Sequence, residues 1–252
     1  MIDLSNQLAL ITGGSRGIGA ATAIQFARAG ADVVITYQRD KKGAEETLRN
    51  IFINGVRGFA IKGSIENESD CRRICAQTMK LFGRIDILVN SAGIWEYGAL
   101  GKMSLKEWKR TIDINLNGTF NMCNAVLPAM KKQKYGRIIN VASTAGQRGE
   151  AFHSHYAASK GGVIAFTKSL APELISKGIW VNCVAPGWVD TDMTAGELKK
   201  SSTKKEILRT IPRKKVGTPE EIAGPILFLA SNLANNVVGE ILNVNGGSVL
   251  CG

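Results

Sequence analysis

The sequence predicts a single-domain α/β fold, doubly wound around a mostly parallel seven-stranded sheet flanked by helices. Three observations carry this. Short apolar, β-branched runs alternate with longer segments of helical period. The strand candidates are near-continuously apolar, which suits strands covered on both faces. No linker, solenoid-period repeat or composition break interrupts the 252 residues, so residues 1–252 read as one domain.

The elements follow in order. Residues 8–11 (LALI) form a strand. TGGSRGIG (12–19) then leads into a helix over 20–29. DVVIT (32–36) is β-branched and extended, and 43–53 is an amphipathic helix. GFAIK (58–62) is a strand, and 68–82 a helix. IDILVN (85–90) is a strand that runs into a loop. Residues 105–129 are long and helical, interrupted near Asn117-Gly118. GRIINVA (136–142) is a strand, 156–177 a helix, and IWVNCVA (179–185) a strand. A polar stretch occupies 190–210. PEEIAGPILFLAS (219–231) is a helix, and 242–245 a last short strand. Crossovers between parallel strands are expected to be right-handed.

Composition is that of a soluble globular protein, 44% hydrophobic and 21% charged. No apolar run reaches the ~18 residues of a membrane helix. The N-terminus lacks the basic and apolar regions of a signal peptide, so a cytoplasmic protein without a membrane partner is expected. The formal net charge is +11, which suits an anionic cofactor or an acidic partner. Its basic clusters at 131–137, 199–205 and 213–215 carry no interleaved aromatic platform. They read as solvated surface, not as a nucleic-acid site. The cysteines at 71, 75, 123, 183 and 251 form no CxxC pair. Cys71 and Cys75 share a helix face and read as reduced thiols, and no metal site is expected.

Three glycines, Gly13, Gly17 and Gly19, follow the first strand and open a helix. Glycines let phosphate oxygens approach the backbone, and a helix N-terminus offers free N–H groups. The loop therefore reads as a dinucleotide site. Where NAD-binding folds place an acidic residue against the ribose, this chain has Tyr37, with Arg39 two positions on and Arg16 in the loop. Two guanidinium groups suit a 2′-phosphate, so NADP(H) is the expected cofactor. The opposing reading makes Arg39 a surface charge partly neutralised by Asp40.

Tyr156 and Lys160 are four apart on a helix and share a face. A nearby ammonium stabilises a phenolate, and the pair suits proton exchange with a carbonyl/alcohol couple. Ser143 ends a strand, where sheet ligands bind, and can donate to a developing oxyanion. Asn90-Ser91-Ala92-Gly93 ends another strand, and Asn115 lies in the interrupted helix.

Taken together, TGGSRGIG, NSAG, Asn115, Ser143, YAASK and Pro186-Gly187, in this order, resemble the short-chain dehydrogenase/reductase family, from Leu8 to the C-terminal glycine-rich segment. The resemblance implies a Rossmann fold with Tyr156 as general acid/base. Lys160 would lower its pKa and bind the nicotinamide ribose, and Ser143 would hold the substrate oxygen. Asn115 would hold a water in a proton relay to Lys160. Gly13, Ser15, Arg16, Gly17, Ile18 and Gly19 would surround the pyrophosphate. Tyr37, Arg39, Ser64, Ile65, Asn90, Ala92 and Gly93 would line the adenosine end. Pro186, Gly187, Val189 and Thr191 would flank the nicotinamide. Ser64 departs from the family's frequent aspartate, which implies weaker adenine affinity. NSAG departs from the commoner NNAG with little consequence.

A carbonyl or secondary-alcohol substrate is implied. Residues 190–212 lie where the family has its substrate lid, and also read as an amphipathic helix packed on the body. Trp95 and Trp188 could line the pocket or pack in the core. His153 could touch substrate or sit in a loop, as could His155. Within the family the chain looks most like bacterial 3-oxoacyl-(acyl carrier protein) reductases. Lys134 and Lys177 fall where those enzymes dock the acidic carrier. The segment Ile94-Trp95-Glu96-Tyr97 departs from their pattern, which keeps sugar, cyclic-alcohol and steroid dehydrogenases open. A non-catalytic NADP(H)-binding sensor is the remote alternative. A homotetramer is implied, joined through helices 105–129 and 156–177 and the C-terminal segment.

Overall fold

The computed structural model describes residues 2–250; Met1, Cys251 and Gly252 lie outside them. The strands are β1 (Leu8–Thr12), β2 (Asp32–Tyr37), β3 (Gly58–Lys62), β4 (Ile87–Asn90), β5 (Gly136–Val141), β6 (Ile179–Pro186) and β7 (Ile241–Val244). They form one sheet in the order β3-β2-β1-β4-β5-β6-β7, and every pairing is parallel. The helices are α1 (Gly17–Arg28), α2 (Lys41–Phe52), α3 (Glu68–Phe82), α4 (Leu105–Ile112), α5 (Gly118–Gln133), α6 (Thr144–Arg148), α7 (Ser154–Leu174), α8 (Ala195–Leu198), α9 (Ser201–Thr210) and α10 (Pro219–Ala230).

Alternation along the strands divides the core. Ala9, Ile11, Val33, Ile35, Ile87 and Val89 point to one face, where Phe26 of α1, Ile51 of α2 and Ile226 of α10 cover them. Leu8, Leu10, Val34 and Leu88 point to the other, against Ile74 of α3, Met122 and Val126 of α5 and Leu174 of α7. Successive residues of a strand face opposite sides, so a strand buried on both is apolar throughout. Cys71 and Cys75 are free and buried on the α3 face of this second core. No helix among the described residues is long and apolar enough to cross a membrane.

Several boundaries differ from those expected. The first helix begins at Gly17, not residue 20, so Gly17 and Gly19 lie inside its first turn. The break in the long helix is a π-helical turn, Asp113–Asn117, after which α5 continues to Gln133 and ends at a left-handed Lys134. The fourth strand starts at Ile87. Asp86 before it is buried, accepts from Leu8 N at 2.8 Å and pairs with Arg84. α7 starts at Ser154, which puts Tyr156 in its first turn, and ends at Leu174, followed by a short 3-10 turn to Lys177. The polar stretch holds two helices, α8 and α9.

The chain winds outward from β1 to β3, then crosses over to β4 and winds the other way to β7. At the crossing, Thr12 and Asn90 stand side by side at the carboxyl ends of β1 and β4. Loops leaving this point diverge to opposite faces and leave a crevice between them, where open α/β sheets bind ligands.

Candidate active site

A cavity of about 450 Å³ opens at that crevice. Gly13, Ser15, Arg16, Gly17, Ile18 and Gly19 form its floor, with Tyr37, Arg39, Ser64, Ile65, Ala92, Gly93 and Thr191 on the walls. Gly13 has φ +68°, and a methyl group there would lie 2.8 Å from Ala92 Cα. Only glycine tolerates that conformation at that distance. Two threonines pin the loop. Gly13 N and Gly14 N donate to Thr36 at 3.4 and 3.0 Å, and Thr12 Oγ1 accepts from Ser91 N and Ala92 N at 3.1 Å. Arg16, the residue before α1, is extended and gives the helix no side-chain cap. The first-turn N–H groups are left for an anion. The cradle fits a dinucleotide pyrophosphate.

At the adenosine end, Asp40 is committed elsewhere: its carboxylate caps α2 by accepting from Gly43 N at 2.9 Å. Among the described residues no carboxylate forms an ion pair with Arg39, which is exposed. Arg16 lies 3.8 Å from Asp192, and both are exposed, so water screens the pair. The Ser64 hydroxyl accepts from Gln38 at 2.6 Å, and Ser64 N donates to Asp70 at 2.9 Å. Gln38, Glu66 and Asp70 were not read from the sequence. A correction concerns Asn90. Its side chain turns into the sheet, donating to Asn140 Oδ1 at 2.9 Å, and Ser91 takes its place on the wall. Asn140 in turn donates to Thr167 at 2.9 Å, tying β4 and β5 to α7.

Adjoining this cavity, with Ile18, Gly93 and Thr191 shared between them, lies a chamber of about 120 Å³, lined by Ser143, Tyr156, Lys160, Pro186, Gly187, Trp188, Val189 and Thr191. Ser143 leaves β5 in extended conformation and accepts from Ala145 N at 3.1 Å as the cap of α6. The backbone of Gly146 in α6 lies against that of Lys160 and Gly161 in α7, where a methyl would come within 2.5 Å of Lys160 C. This contact sets Ser143 beside Tyr156.

Desolvation pushes the Tyr156 phenol up to about 12, with a hydrogen bond from Ser143 acting in the opposite direction. Burial pulls the Lys160 ammonium down to about 8. Its Nζ donates to Val141 O at 2.7 Å and lies 5.8 Å from the Tyr156 ring centre. Burial thus outweighs the opposing pull of Ser143 on the phenol. Asn115 sits in the π-turn, a feature frequent at functional sites. Its Oδ1 accepts from Ile94 N at 2.8 Å, and its Nδ2 donates to Ile94 O at 2.9 Å and Ser159 Oγ at 3.1 Å.

The outer wall is aromatic. Trp95 and Trp188 both line the chamber and meet edge to face at 5.7 Å. His153 stacks flat on Trp95 at 4.4 Å and so backs the wall. His155, in the first turn of α7, is buried. Glu150 and Arg148 also line the chamber, and Trp95 Nε1 donates to the Glu150 carboxylate at 3.2 Å. Neither was read from the sequence; the only signal was their position between Ser143 and Tyr156. Met193 and Thr194 close the chamber from the segment 190–212, which Ile207 and Ile211 anchor in the core. Lys134 and Lys177 are exposed near one another, where Gly136 N bonds Gly178 O at 3.0 Å. That is the amino-terminal edge of the sheet, opposite the chamber.

A dinucleotide cradle opening onto a serine, a tyrosine and a buried lysine defines a nucleotide-dependent oxidoreductase of the carbonyl/alcohol couple. Comparisons with known proteins agree. A family described as enoyl-(acyl carrier protein) reductase matches residues 13–248. The chain is 43% identical over 251 residues to a 3-oxoacyl-[acyl-carrier-protein] reductase of Synechocystis, covering 99% of this chain and 100% of that one. It is 40% identical to the enzyme of that name from Staphylococcus epidermidis, covering 96% and 98%. Among solved structures, a putative NAD(P)-dependent gluconate 5-dehydrogenase from Beutenbergia cavernae with bound NADP superposes with a TM-score of 0.92 at 33% identity, covering 98% of each chain. The protein belongs to the short-chain dehydrogenase/reductase family.

Proposed function

We propose that the protein is an NADP(H)-dependent reductase of 3-oxoacyl thioesters, interconverting a ketone and a secondary alcohol. The observation that carries the chemistry is Ser143, Tyr156 and Lys160 converging on one chamber at the end of the dinucleotide cavity. The substrate class rests on the full-length similarity to enzymes of that name. Arg39, which forms no ion pair among the described residues, is the residue for a 2′-phosphate, with Arg16 lining the same cavity.

NADP(H), held by the glycine loop Gly13–Gly19, would supply or accept the hydride. Ser143 donates to the substrate oxygen and fixes the carbonyl against Tyr156. Tyr156, neutral at physiological pH, gives its proton to the alkoxide oxygen as it forms. Lys160 carries its charge beneath the phenol and stabilises the phenolate left behind. Asn115 holds a water in line with Lys160, through which the proton is replaced. The segment 190–212 acts as the lid that excludes water.

An acidic carrier protein suits the basic pair Lys134 and Lys177. Because that pair lies across the sheet from Tyr156, docking there serves the chamber of a neighbouring copy. A homotetramer, with α5 and α7 at an interface, provides neighbours. Phe120 on α5, half-exposed, meets Phe166 on α7 at 6.2 Å and offers an apolar start for that contact. A cytoplasmic location completes the proposal.

The aromatic wall with Glu150 favours a second reading, a dehydrogenase of small hydroxylated ketones or polyols. NADPH and NADH oxidation against an acetoacetyl thioester, a diketone and a cyclic ketone, with glucose in reverse, separates the two. Thioester turnover with NADPH supports the first reading. Activity on glucose alone moves the substrate to the second. Tyr156→Phe is expected to lose ~10²–10⁴-fold in turnover while still binding NADPH; full turnover in that variant would refute the role of Tyr156.

A further inference from the structure

We propose that Glu150 determines specificity, selecting uncharged ketones that carry an O–H or N–H donor and excluding ketones that carry a carboxylate. This rests on the reading of the chamber as a ketone site and deepens it.

Glu150 lines the chamber together with Ser143 and Tyr156. Its side chain is 23% exposed. Trp95 Nε1 donates to its two oxygens at 3.2 and 3.4 Å. His153 Nδ1 stands 3.7 Å away and is itself bonded to Ala151 O at 3.0 Å. One indole hydrogen shared between two oxygens leaves most of the carboxylate's acceptor capacity unused, since it can take about four donors. A carboxylate drawn out of water in this way needs a donor from whatever fills the chamber. The substrate is the group positioned to supply it.

The same geometry rejects an anion. A second negative charge in the chamber would face Glu150 across partly desolvated space, where repulsion is far stronger than in bulk water. Arg148 also reaches the chamber, but from an exposed position where water and salt screen its charge. Trp95 and Trp188 meet edge to face and offer the substrate carbon skeleton an apolar corner. Trp95 thus both holds the acceptor and forms the wall.

In these terms a free 3-oxo acid is a poor substrate and its ester or thioester a good one. A thioester whose alcohol side bears an amide N–H also satisfies the carboxylate. A hydroxylated ketone meets the same demand, so the selection holds for both substrate readings.

The test is kcat/KM with NADPH for two matched pairs. The first is methyl acetoacetate against free acetoacetate. The second is the N-acetylcysteamine thioester of acetoacetate against its ethyl thioester, which lacks the N–H. The wild-type protein is expected to prefer the neutral member of the first pair by at least about tenfold, and the N–H-bearing member of the second. Glu150→Gln keeps the shape and removes the charge, and should bring the first ratio to within about twofold. Glu150→Ala should flatten the second ratio as well. Trp95→Phe keeps a ring but removes the N–H that holds the carboxylate, and should shift both ratios the same way. NADPH binding by each variant reports that it is folded. Flat ratios in the wild type, or ratios unchanged in Glu150→Gln, overturn the proposal while leaving the ketone reading intact. Turnover of no member by the wild type, with NADPH bound, overturns both.

Discussion

Replacing Lys160 by methionine should yield a ligand-free protein that is more stable at neutral pH and nearly inactive. Lys160 is 5% exposed, and its ammonium sits at about 8 against an ordinary 10.5. At about 1.4 kcal/mol per pH unit, burying the charge opposes folding by about 3 kcal/mol. Methionine has similar volume and no charge to bury. It also removes the donor to Val141 O, which costs about 1–2 kcal/mol. The balance favours the variant by about 1–2 kcal/mol at pH 7, or about 3–6 °C in melting temperature for a chain of this size.

The effect should reverse with pH. Below pH 8 the lysine is charged in both the folded and unfolded chains, and the full penalty acts against folding. Between 8 and 10.5 the folded chain sheds the proton first, so wild-type stability rises with pH. Above this range the penalty is gone and only the hydrogen bond remains, so the wild type overtakes the variant. Tyr156 titrates higher, at about 12, in both proteins and cancels from the difference. Thermal or urea unfolding of the ligand-free pair at pH 7 and pH 10.5 measures this. A variant that melts below wild type at pH 7, or an offset that is the same at both pH values, refutes the reasoning. Turnover should fall by about 10²-fold or more, because the charge that opposes folding is the one that stabilises the phenolate.

Two further outcomes are expected. Arg39→Ala should raise the NADPH dissociation constant by about tenfold and leave NADH binding unchanged; isothermal titration with both cofactors shows whether Arg39 meets the 2′-phosphate or is a surface charge. Gly146→Ala inserts a methyl within 2.5 Å of the Lys160 carbonyl carbon and 2.6 Å of Gly161 N. With backbone on both sides neither helix can yield easily, so stability should fall by about 1–3 kcal/mol and kcat with it; unchanged melting would show that α6 and α7 separate without consequence.

The sheet, its order of elements and the glycine cradle were legible in the sequence because each rests on local pattern. A strand buried on both faces must be apolar throughout, and a helix between two such strands must be amphipathic. Gly13 is legible for a similar reason: a left-handed residue facing another backbone accepts no side chain. The spacing from Tyr156 to Lys160 fixed a shared helix face. Boundaries were less legible. Gly17 and Gly19 read as loop yet lie in the first turn of α1, and the interruption beside Asn117 proved to be a π-turn carrying Asn115.

The sequence by itself therefore determined the fold class, the glycine cradle and the shared helix face of Tyr156 and Lys160. Tertiary structure decided how each polar side chain is spent. Asp40 caps α2, Asn90 turns inward to Asn140, and the Lys160 ammonium is held by Val141 O. Glu150 meets Trp95 across 55 positions of sequence, brought together because the loops after β4 and β5 leave the same edge of the sheet. Backbone pattern repeats with a period that can be counted along the chain. A hydrogen bond between distant side chains depends on strand register and helix packing, and these exist only once the chain has folded.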